Sequence, residues 1–155
     1  MKTLIVYDSV YGNTEIVARA IGEALGATVP VLRLDQVQVA DMESADLLII
    51  GSPTHGSEAT PAMKALVTRI GAPASDLARL ATFDTRLTWG FLRKHGYAAG
   101  KIEDALKAKG WTPAASQGGF FVRGLRKGPL KKGELERATA WAEELAAGLP
   151  NDEPS

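Results

Sequence analysis

Short apolar runs and amphipathic stretches alternate along this chain. The runs most typical of strands are at 3–7, 29–34, 47–50 and 80–83, with two further short candidates at 111–115 and 120–122. Alternating strands and helices are typical of a parallel sheet covered by helices. The pattern therefore predicts one α/β domain over residues 1–149, and we expect the tail, 150–155, to be disordered.

Amphipathic helices are predicted wherever apolar residues recur every three or four positions. The stripes that show this spacing are at 16–25, 63–70, 98–106 and 135–145. Gly26 provides a stop for the first helix, and Thr60 followed by Pro61 provides an N-cap and a first helical residue for the second. A strand and a helix thus follow one another through most of the chain.

Composition narrows the classes of function. Eighteen basic residues balance eighteen acidic ones, which argues against binding of nucleic acid by bulk positive charge. The absence of cysteine excludes disulfides, thiolate metal sites and cysteine nucleophiles, and with two histidines in all we expect no metal site. No apolar run approaches the roughly 18 residues of a membrane span, and we expect no signal peptide before the first strand. We expect a cytoplasmic protein with no membrane or nucleic-acid partner.

The loop from Ser9 to Thr14 carries the strongest functional signal. It joins an apolar strand to the start of a helix, where backbone N–H groups and the helix dipole favour an anion. Ser9, Asn13 and Thr14 offer side-chain donors, and Gly12 allows close approach of the backbone. The loop contains no lysine, so it predicts a phosphate held by neutral donors. The alternative is an ordinary turn in which Asn13 or Thr14 caps the helix.

Two other phosphate-binding motifs do not fit this loop. A P-loop requires Gly-Lys-Ser/Thr at the start of the helix, and the dinucleotide fingerprint requires G-x-G-x-x-G. Neither pattern occurs at this strand end.

Residues 5–21 resemble the signature of the flavodoxin family. The matching positions are Ile5, Val6, Tyr7, Ser9, Gly12, Thr14, Ala18 and Ile21, and similar segments follow at 51–56, 84–96 and 120–124. The resemblance implies a short-chain, flavodoxin-like three-layer α/β/α fold with a five-stranded parallel sheet of order 2-1-3-4-5. It also implies FMN held non-covalently at the C-terminal ends of strands 1, 3 and 4.

The resemblance implies a set of cofactor-binding residues in three loops. They are Ser9, Val10, Tyr11, Gly12, Asn13, Thr14, Pro53, Thr54, His55, Gly56, Asp84, Thr85, Arg86 and Trp89. Thr54 would complete the phosphate pocket, and His55 occupies a position that often carries a tryptophan stacked on the flavin. Gly56 matches the residue whose carbonyl flips to accept a hydrogen bond from N5–H of the reduced flavin. The alternative for His55 is a histidine on a surface loop.

The third loop, 84–96, departs most from the family pattern. Trp89 is the candidate for the outer stacking face, with Phe91 and Tyr97 as alternatives. The other interpretation of Trp89 is packing of the loop onto the domain. Arg86 could approach the N1/O2 edge of the flavin, the alternative being a solvated arginine.

The resemblance favours a flavodoxin-like electron-transfer protein that works with a redox partner protein, as a monomer or weak dimer. The first alternative is an FMN-dependent NAD(P)H:quinone-type reductase, and the second is a flavin-free interaction module. Carriers of this family are typically acidic, whereas this chain is neutral. A basic cluster is expected to be a solvated face, with an anionic partner as the alternative. Its members are Arg123, Arg126, Lys127, Lys131 and Lys132.

Overall fold

Strands and helices alternate in the computed structural model, which describes residues 1–87, 96–123 and 128–149. The strands are β1 (Thr3–Tyr7), β2 (Val31–Arg33), β3 (Leu47–Pro53), β4 (Arg79–Arg86), β5 (Thr112–Pro113) and β6 (Gly118–Phe121). The helices are α1 (Asn13–Leu25), α2 (Val39–Glu43), α3 (Pro61–Arg69), α4 (Ala98–Lys107) and α5 (Glu134–Ala147), and a 3-10 turn covers Leu34–Gln36. The tail expected to be disordered, 150–155, lies outside the described residues.

The sheet is parallel throughout, in the order β2-β1-β3-β4-β5, and β6 also pairs with β4. This confirms the predicted flavodoxin-like order 2-1-3-4-5. The fifth position is shared by two short strands, because β5 pairs with the start of β4 at Arg79 and β6 pairs with its end from Phe83 onward. In a parallel sheet the carboxyl ends of all strands meet at one edge, so the candidate loops after β1, β3 and β4 converge there.

Helices cover both faces of the sheet, as strand β1 shows. Leu4 and Val6 point into a core shared with α3 and α4, and Ile5 and Tyr7 point into a core shared with α1 and α5. The four side chains alternate between the faces because successive residues of a strand point in opposite directions. Both faces are apolar, which explains why β1 is an uninterrupted apolar run.

Helix α3 begins as the sequence predicts. The Thr60 hydroxyl accepts a hydrogen bond from the Met63 amide at 3.2 Å, and Pro61 is the first helical residue. Helix α2 was not predicted, since Met42 is its one fully buried side chain and five residues show little periodicity. None of the described helices combines the length and apolarity that a membrane span requires.

Two strands are longer than their apolar runs predicted. β3 continues past Ile50 to Pro53, and β4 runs to Arg86, so the prediction that Asp84, Thr85 and Arg86 lie in a loop is wrong. Polar strand ends were missed because a buried polar residue interrupts the apolar pattern, although Asp84 is fully buried in the structure. These three residues therefore have fixed positions in the sheet.

Candidate functional site

The loop between β1 and α1 presents backbone amides at the start of a helix. Gly12, with φ +94°, is the N-cap of α1 and has no side chain with which to cap the helix. The Ser9 hydroxyl oxygen accepts hydrogen bonds from the amides of Gly12 (3.1 Å) and Glu15 (3.4 Å). Within the described residues the amides of Asn13 and Thr14 have no acceptor. The alternative in which Asn13 or Thr14 caps α1 is therefore wrong, and two amides remain available to an anion.

The side chains of Asn13 and Thr14 hold this loop against distant parts of the chain. The buried hydroxyls of Thr14 and Thr85 are 2.8 Å apart, which joins the loop to the end of β4. The Asn13 side-chain amide donates to the carbonyl of Gly128 at 2.7 Å. The loop is thus fixed from two sides before any ligand binds.

A buried carboxylate lies beneath the same loop. Asp8 accepts hydrogen bonds from the Ser9 amide (2.9 Å) and the Thr60 hydroxyl (2.5 Å), and Arg33 lies 3.3 Å away. Asp8, Thr60 and Arg33 were not among the predicted site residues. Asp8 could have been found, because an acidic residue directly after a buried strand needs partners. Arg33 could be found only by placing the end of β2 beside the end of β1.

The loop after β3 is a tight turn. The His55 amide donates to the Glu58 carbonyl (2.8 Å), and the Glu58 amide donates back to the His55 carbonyl (3.1 Å). Gly56 (φ +56°) and Ser57 (φ +66°) are its central residues, and positive φ at both positions is the mark of a type I′ turn. Among the described residues Ser57 is the one non-glycine with positive φ. The turn places backbone strain at Ser57, beside the glycine that the family resemblance singles out.

Two substitutions in this turn, one that removes backbone strain and one that adds it, should have opposite effects on stability. Ser57→Gly should raise the free energy of unfolding by up to about 1 kcal/mol, because the left-handed conformation costs an L-residue roughly 1–2 kcal/mol and glycine gives back part of that in chain entropy. Gly56→Ala should lower it by about 1 kcal/mol, since a Cβ there meets nothing within 4 Å and only the backbone is strained. Urea unfolding measures both changes. A destabilised Ser57→Gly protein would contradict the assignment of strain.

The turn is attached to both helices on its side of the sheet. Glu58 forms ion pairs with Lys64 of α3 (3.6 Å) and Lys101 of α4 (2.9 Å), and the hydrogen bond from Lys101 lowers the pKa of the Glu58 carboxyl. Thr54 links the strand ends, since its amide donates to the Thr85 carbonyl (2.9 Å) and its hydroxyl accepts from the Ala98 amide (2.9 Å). The second loop, β4 and the start of α4 therefore form one connected unit.

The end of β4 carries a buried ion pair. Asp84 receives two hydrogen bonds from the Arg86 guanidinium, at 2.6 and 2.8 Å, and a third from the Ala99 amide at 3.0 Å. Burial raises the pKa of the Asp84 carboxyl, and the Arg86 charge opposes that rise. The Arg86 side chain is 15% exposed, so the alternative of a solvated arginine is wrong. The approach of Arg86 to a flavin edge stays a prediction. The guanidinium would contact the flavin while it remains bound to Asp84.

Tyr97 is held by the same arginine. The Arg86 guanidinium carbon lies 3.6 Å from the centre of the Tyr97 ring, which is cation–π stacking. One face of the ring is therefore covered, and only the other is open to a further partner. Trp89, the predicted stacking residue, and Phe91 lie outside the described residues.

The structure brings the candidate residues of the first and second loops to one edge of the sheet. The rings of Tyr11 and His55 have centroids 6.1 Å apart, and Pro53 pairs with Thr85 across β3 and β4. Val10 is 52% exposed and Tyr11 is 42% exposed, so apolar surface faces solvent beside the open amides of α1. Anion donors and planar or apolar groups thus lie side by side.

Comparison with known proteins agrees with this geometry. A flavodoxin domain model matches residues 4–119. A protein of Synechocystis sp. named diflavin flavoprotein A 4 is 30% identical over 118 residues, covering 72% of this chain and 19% of that protein. An NAD(P)H dehydrogenase (quinone) of Azorhizobium caulinodans is 33% identical over 93 residues, covering 45% and 47%. A flavodoxin of Megasphaera elsdenii is 42% identical over 57 residues, covering 35% and 42%.

The aligned parts span less than half the length of each of these relatives. Among solved structures, oxidised flavodoxin 1 of Bacillus cereus is 18% identical, with a TM-score of 0.77 over 97% of this chain and 100% of that one. Structural likeness at this identity shows the fold, and the family model adds the sequence pattern over three quarters of the chain. The chain belongs to the flavodoxin family.

Proposed function

We propose that this chain binds one FMN non-covalently at the carboxyl ends of β1, β3 and β4 and transfers electrons between redox partners. The observation that carries the proposal is the loop 9–14, with its two open amides, its left-handed glycine and the Ser9 hydroxyl at the start of α1. Family membership supports a flavin as the ligand. When bound, the flavin supplies the redox chemistry, and the protein binds it and positions its edges.

The residues present fit a phosphate ester with a planar ring. The segment 8–14 contains no basic residue, so neutral N–H and O–H donors at the positive end of the α1 dipole would hold the phosphate. Tyr11 and His55 border the same edge with partly exposed rings. The ring would therefore be held by side chains of the first and second loops, and the phosphate by the backbone amides and the hydroxyls of the first loop.

The turn at Gly56 suits the role that the family resemblance implies. Rotation of the Gly56–Ser57 peptide alone converts a type I′ turn into a type II′ turn, in which Gly56 keeps its positive φ and Ser57 leaves the left-handed region. The rotation relieves the strain at Ser57 and redirects the Gly56 carbonyl. That carbonyl oxygen would then accept a hydrogen bond from N5–H of the reduced flavin.

Removing one hydroxyl from the phosphate loop tests the proposal. Thr14→Val should weaken FMN binding about 10- to 100-fold, the effect of losing a hydrogen bond of roughly 1.5–3 kcal/mol to a charged group. Thr68→Val makes the same chemical change on an exposed turn of α3 and should leave affinity unchanged. Fluorescence titration of FMN measures both dissociation constants. Full affinity in the Thr14→Val protein would remove Thr14 from the phosphate site.

A second candidate function is reduction of a quinone by NAD(P)H. It is favoured by the similarity to a relative named NAD(P)H dehydrogenase (quinone) and by the neutral charge of this chain. Steady oxidation of NAD(P)H by the FMN-loaded protein and a quinone, with no other protein present, would support the reductase. Absence of turnover until a partner reductase is added would support the carrier. If the protein does not bind FMN, the remaining interpretation is a flavin-free interaction module.

A further inference from the structure

The segments 121–123 and 128–132 run antiparallel to each other at the edge where the candidate flavin loops lie. Val122 and Leu130 form an antiparallel bridge, the Arg123 amide donates to the Pro129 carbonyl (2.7 Å), and the Lys131 amide donates to the Phe121 carbonyl (2.9 Å). The Val122 amide also donates to the Arg86 carbonyl at the end of β4 (2.9 Å). We call residues 121–123 and 128–132 the basic hairpin.

The basic hairpin is fixed to the phosphate loop. The Asn13 side chain donates to the Gly128 carbonyl at 2.7 Å, so the returning arm of the hairpin lies against the start of α1. Its first arm continues the pairing of β6 with β4, since Phe121 is in register with Arg86. The hairpin is thus continuous with the proposed cofactor edge and is placed by the same residues.

The charge of this region differs from that of the rest of the molecule. Residues 119–133 contain five basic and no acidic residues, and the remainder of the chain holds thirteen basic and eighteen acidic ones. The net charge of zero is therefore the sum of a positively charged segment and a negatively charged remainder. Two of the five, Arg126 and Lys127, lie outside the described residues, and the three described cations are Arg123, Lys131 and Lys132.

These three cations are available to a partner. Each of them is exposed. Within the parts of the chain that the structure describes, no carboxylate pairs with them. The Lys131 ammonium lies 5.9 Å from the centre of the Phe121 ring, a cation–π contact that contributes little on an exposed side chain. Three unpaired charges on one hairpin create a local positive potential that steers an acidic surface towards this edge.

We propose that the basic hairpin is the docking surface for an acidic redox protein, which would reach the flavin over the phosphate-loop side of the site. The proposal rests on the proposed electron-transfer function and specifies the redox partner as a protein with an acidic surface. A protein surface fits better than nucleic acid, because the net charge of the chain is zero and the acidic remainder would repel an extended polyanion. The hairpin is also bonded to the proposed phosphate loop through Asn13 and Gly128, so a docked redox protein would lie beside the proposed cofactor site.

The test uses two redox proteins of opposite charge as probes. Binding of the FMN-loaded protein to the acidic soluble domain of cytochrome b5, and to the basic cytochrome c, is measured by calorimetry at about 20 and 200 mM ionic strength. We expect cytochrome b5 to bind, and its affinity to fall when salt is raised. The Lys131→Glu/Lys132→Glu protein should bind it at least 10-fold more weakly at low salt. Glutamates just before α5 are favoured by the helix dipole, so this variant should fold.

The control reverses two exposed cations at the opposite edge of the sheet. Arg69 and Lys107 lie in the last turns of α3 and α4, and Arg69→Glu/Lys107→Glu makes the same change in net charge. Equal affinity of both double variants for cytochrome b5 would overturn the proposal. Tighter binding of the wild-type protein to a 20-base-pair DNA duplex than to cytochrome b5 would also overturn it. Flavin content is read by absorbance on the same samples. If the wild-type protein retains no flavin but still binds cytochrome b5 in a charge-dependent way, the proposed function is refuted and the docking proposal is not.

Discussion

Replacing Arg86 by alanine is expected to lower the free energy of unfolding by about 3–5 kcal/mol. The substitution leaves the carboxylate of Asp84 fully buried with the Ala99 amide as its main remaining donor. An uncompensated charge in the interior is more costly than the ion pair was favourable. The stacking of Arg86 on Tyr97 is lost in the same step.

The loss should depend on pH in a defined direction. The pKa of Asp84 in the folded protein lies above its ordinary value because of burial, so the folded state favours the protonated form. That contribution to stability is fully present below the ordinary pKa and is lost as pH rises through the raised one. Without Arg86 the pKa rises further. The deficit of the Arg86→Ala protein should therefore be small at acid pH and grow towards neutrality.

Urea unfolding of wild type and variant between about pH 4 and 8 measures this difference. Arg19→Ala removes an arginine from an exposed ion pair with Glu15, where the side chains are 56% and 40% exposed. That control should cost no more than about 0.5 kcal/mol at any pH. A pH-independent loss in the Arg86→Ala protein would show that packing on Tyr97, and not the buried charge, sets the stability.

A methyl group at position 51 is expected to destabilise the fold by about 3 kcal/mol or more. Gly51 of β3 is in register with Phe83 of β4, and a Cβ at Gly51 would lie 2.0 Å from the tip of the Phe83 ring. Phe83 is fully buried and packs edge-to-face with Phe120 and Trp141. The ring therefore has no space to move into, and the strands would have to separate.

A double variant keeps this prediction testable if Gly51→Ala does not fold alone. Phe83→Leu removes the clashing ring, so the two substitutions together should be at least 1 kcal/mol less harmful than the sum of the single effects. Gly100→Ala, inside α4, is the matched control and should change stability by no more than about 1 kcal/mol, since its nearest neighbour is the end of the exposed Gln117 side chain at 3.3 Å. Calorimetric melting compares all four proteins. Simple additivity of the pair would rule out the clash.

The fold could be predicted from the sequence because its apolar runs are local signals. β1 and the loop 9–14 lie within twenty residues and together carry the family signature, which gave the strand order. The end of β4 could not be predicted, since Asp84, Thr85 and Arg86 have the composition of a loop. Their burial depends on partners brought together by the sheet, such as Thr14 for Thr85.

The sequence predicted where the loop residues of the candidate site lie, but not the long-range contacts that hold them in place. Ser9, Gly12 and Thr14 lie where the sequence placed them, at the start of α1. The contact of Asn13 with Gly128 joins residues 115 positions apart, and no local pattern reports it. Asp84 and Arg86 were predicted as cofactor contacts, yet their side chains bond to each other, and Asp84 also accepts from the Ala99 amide. Their contact with a flavin stays a prediction, as does that of Trp89.

Helix α5 has a consequence for synthesis on the ribosome. It packs against α1 and buries Ala138, Ala142 and Leu145 in the core that covers Phe83 and Phe120. A nascent chain that has emerged only as far as β6 can pair all its strands, and α1 already covers part of this face, but the area that α5 covers stays exposed until Leu145 leaves the exit tunnel. During that interval the exposed phenylalanines are a surface for chaperones or for aggregation, so folding of this domain is completed only by its last helix.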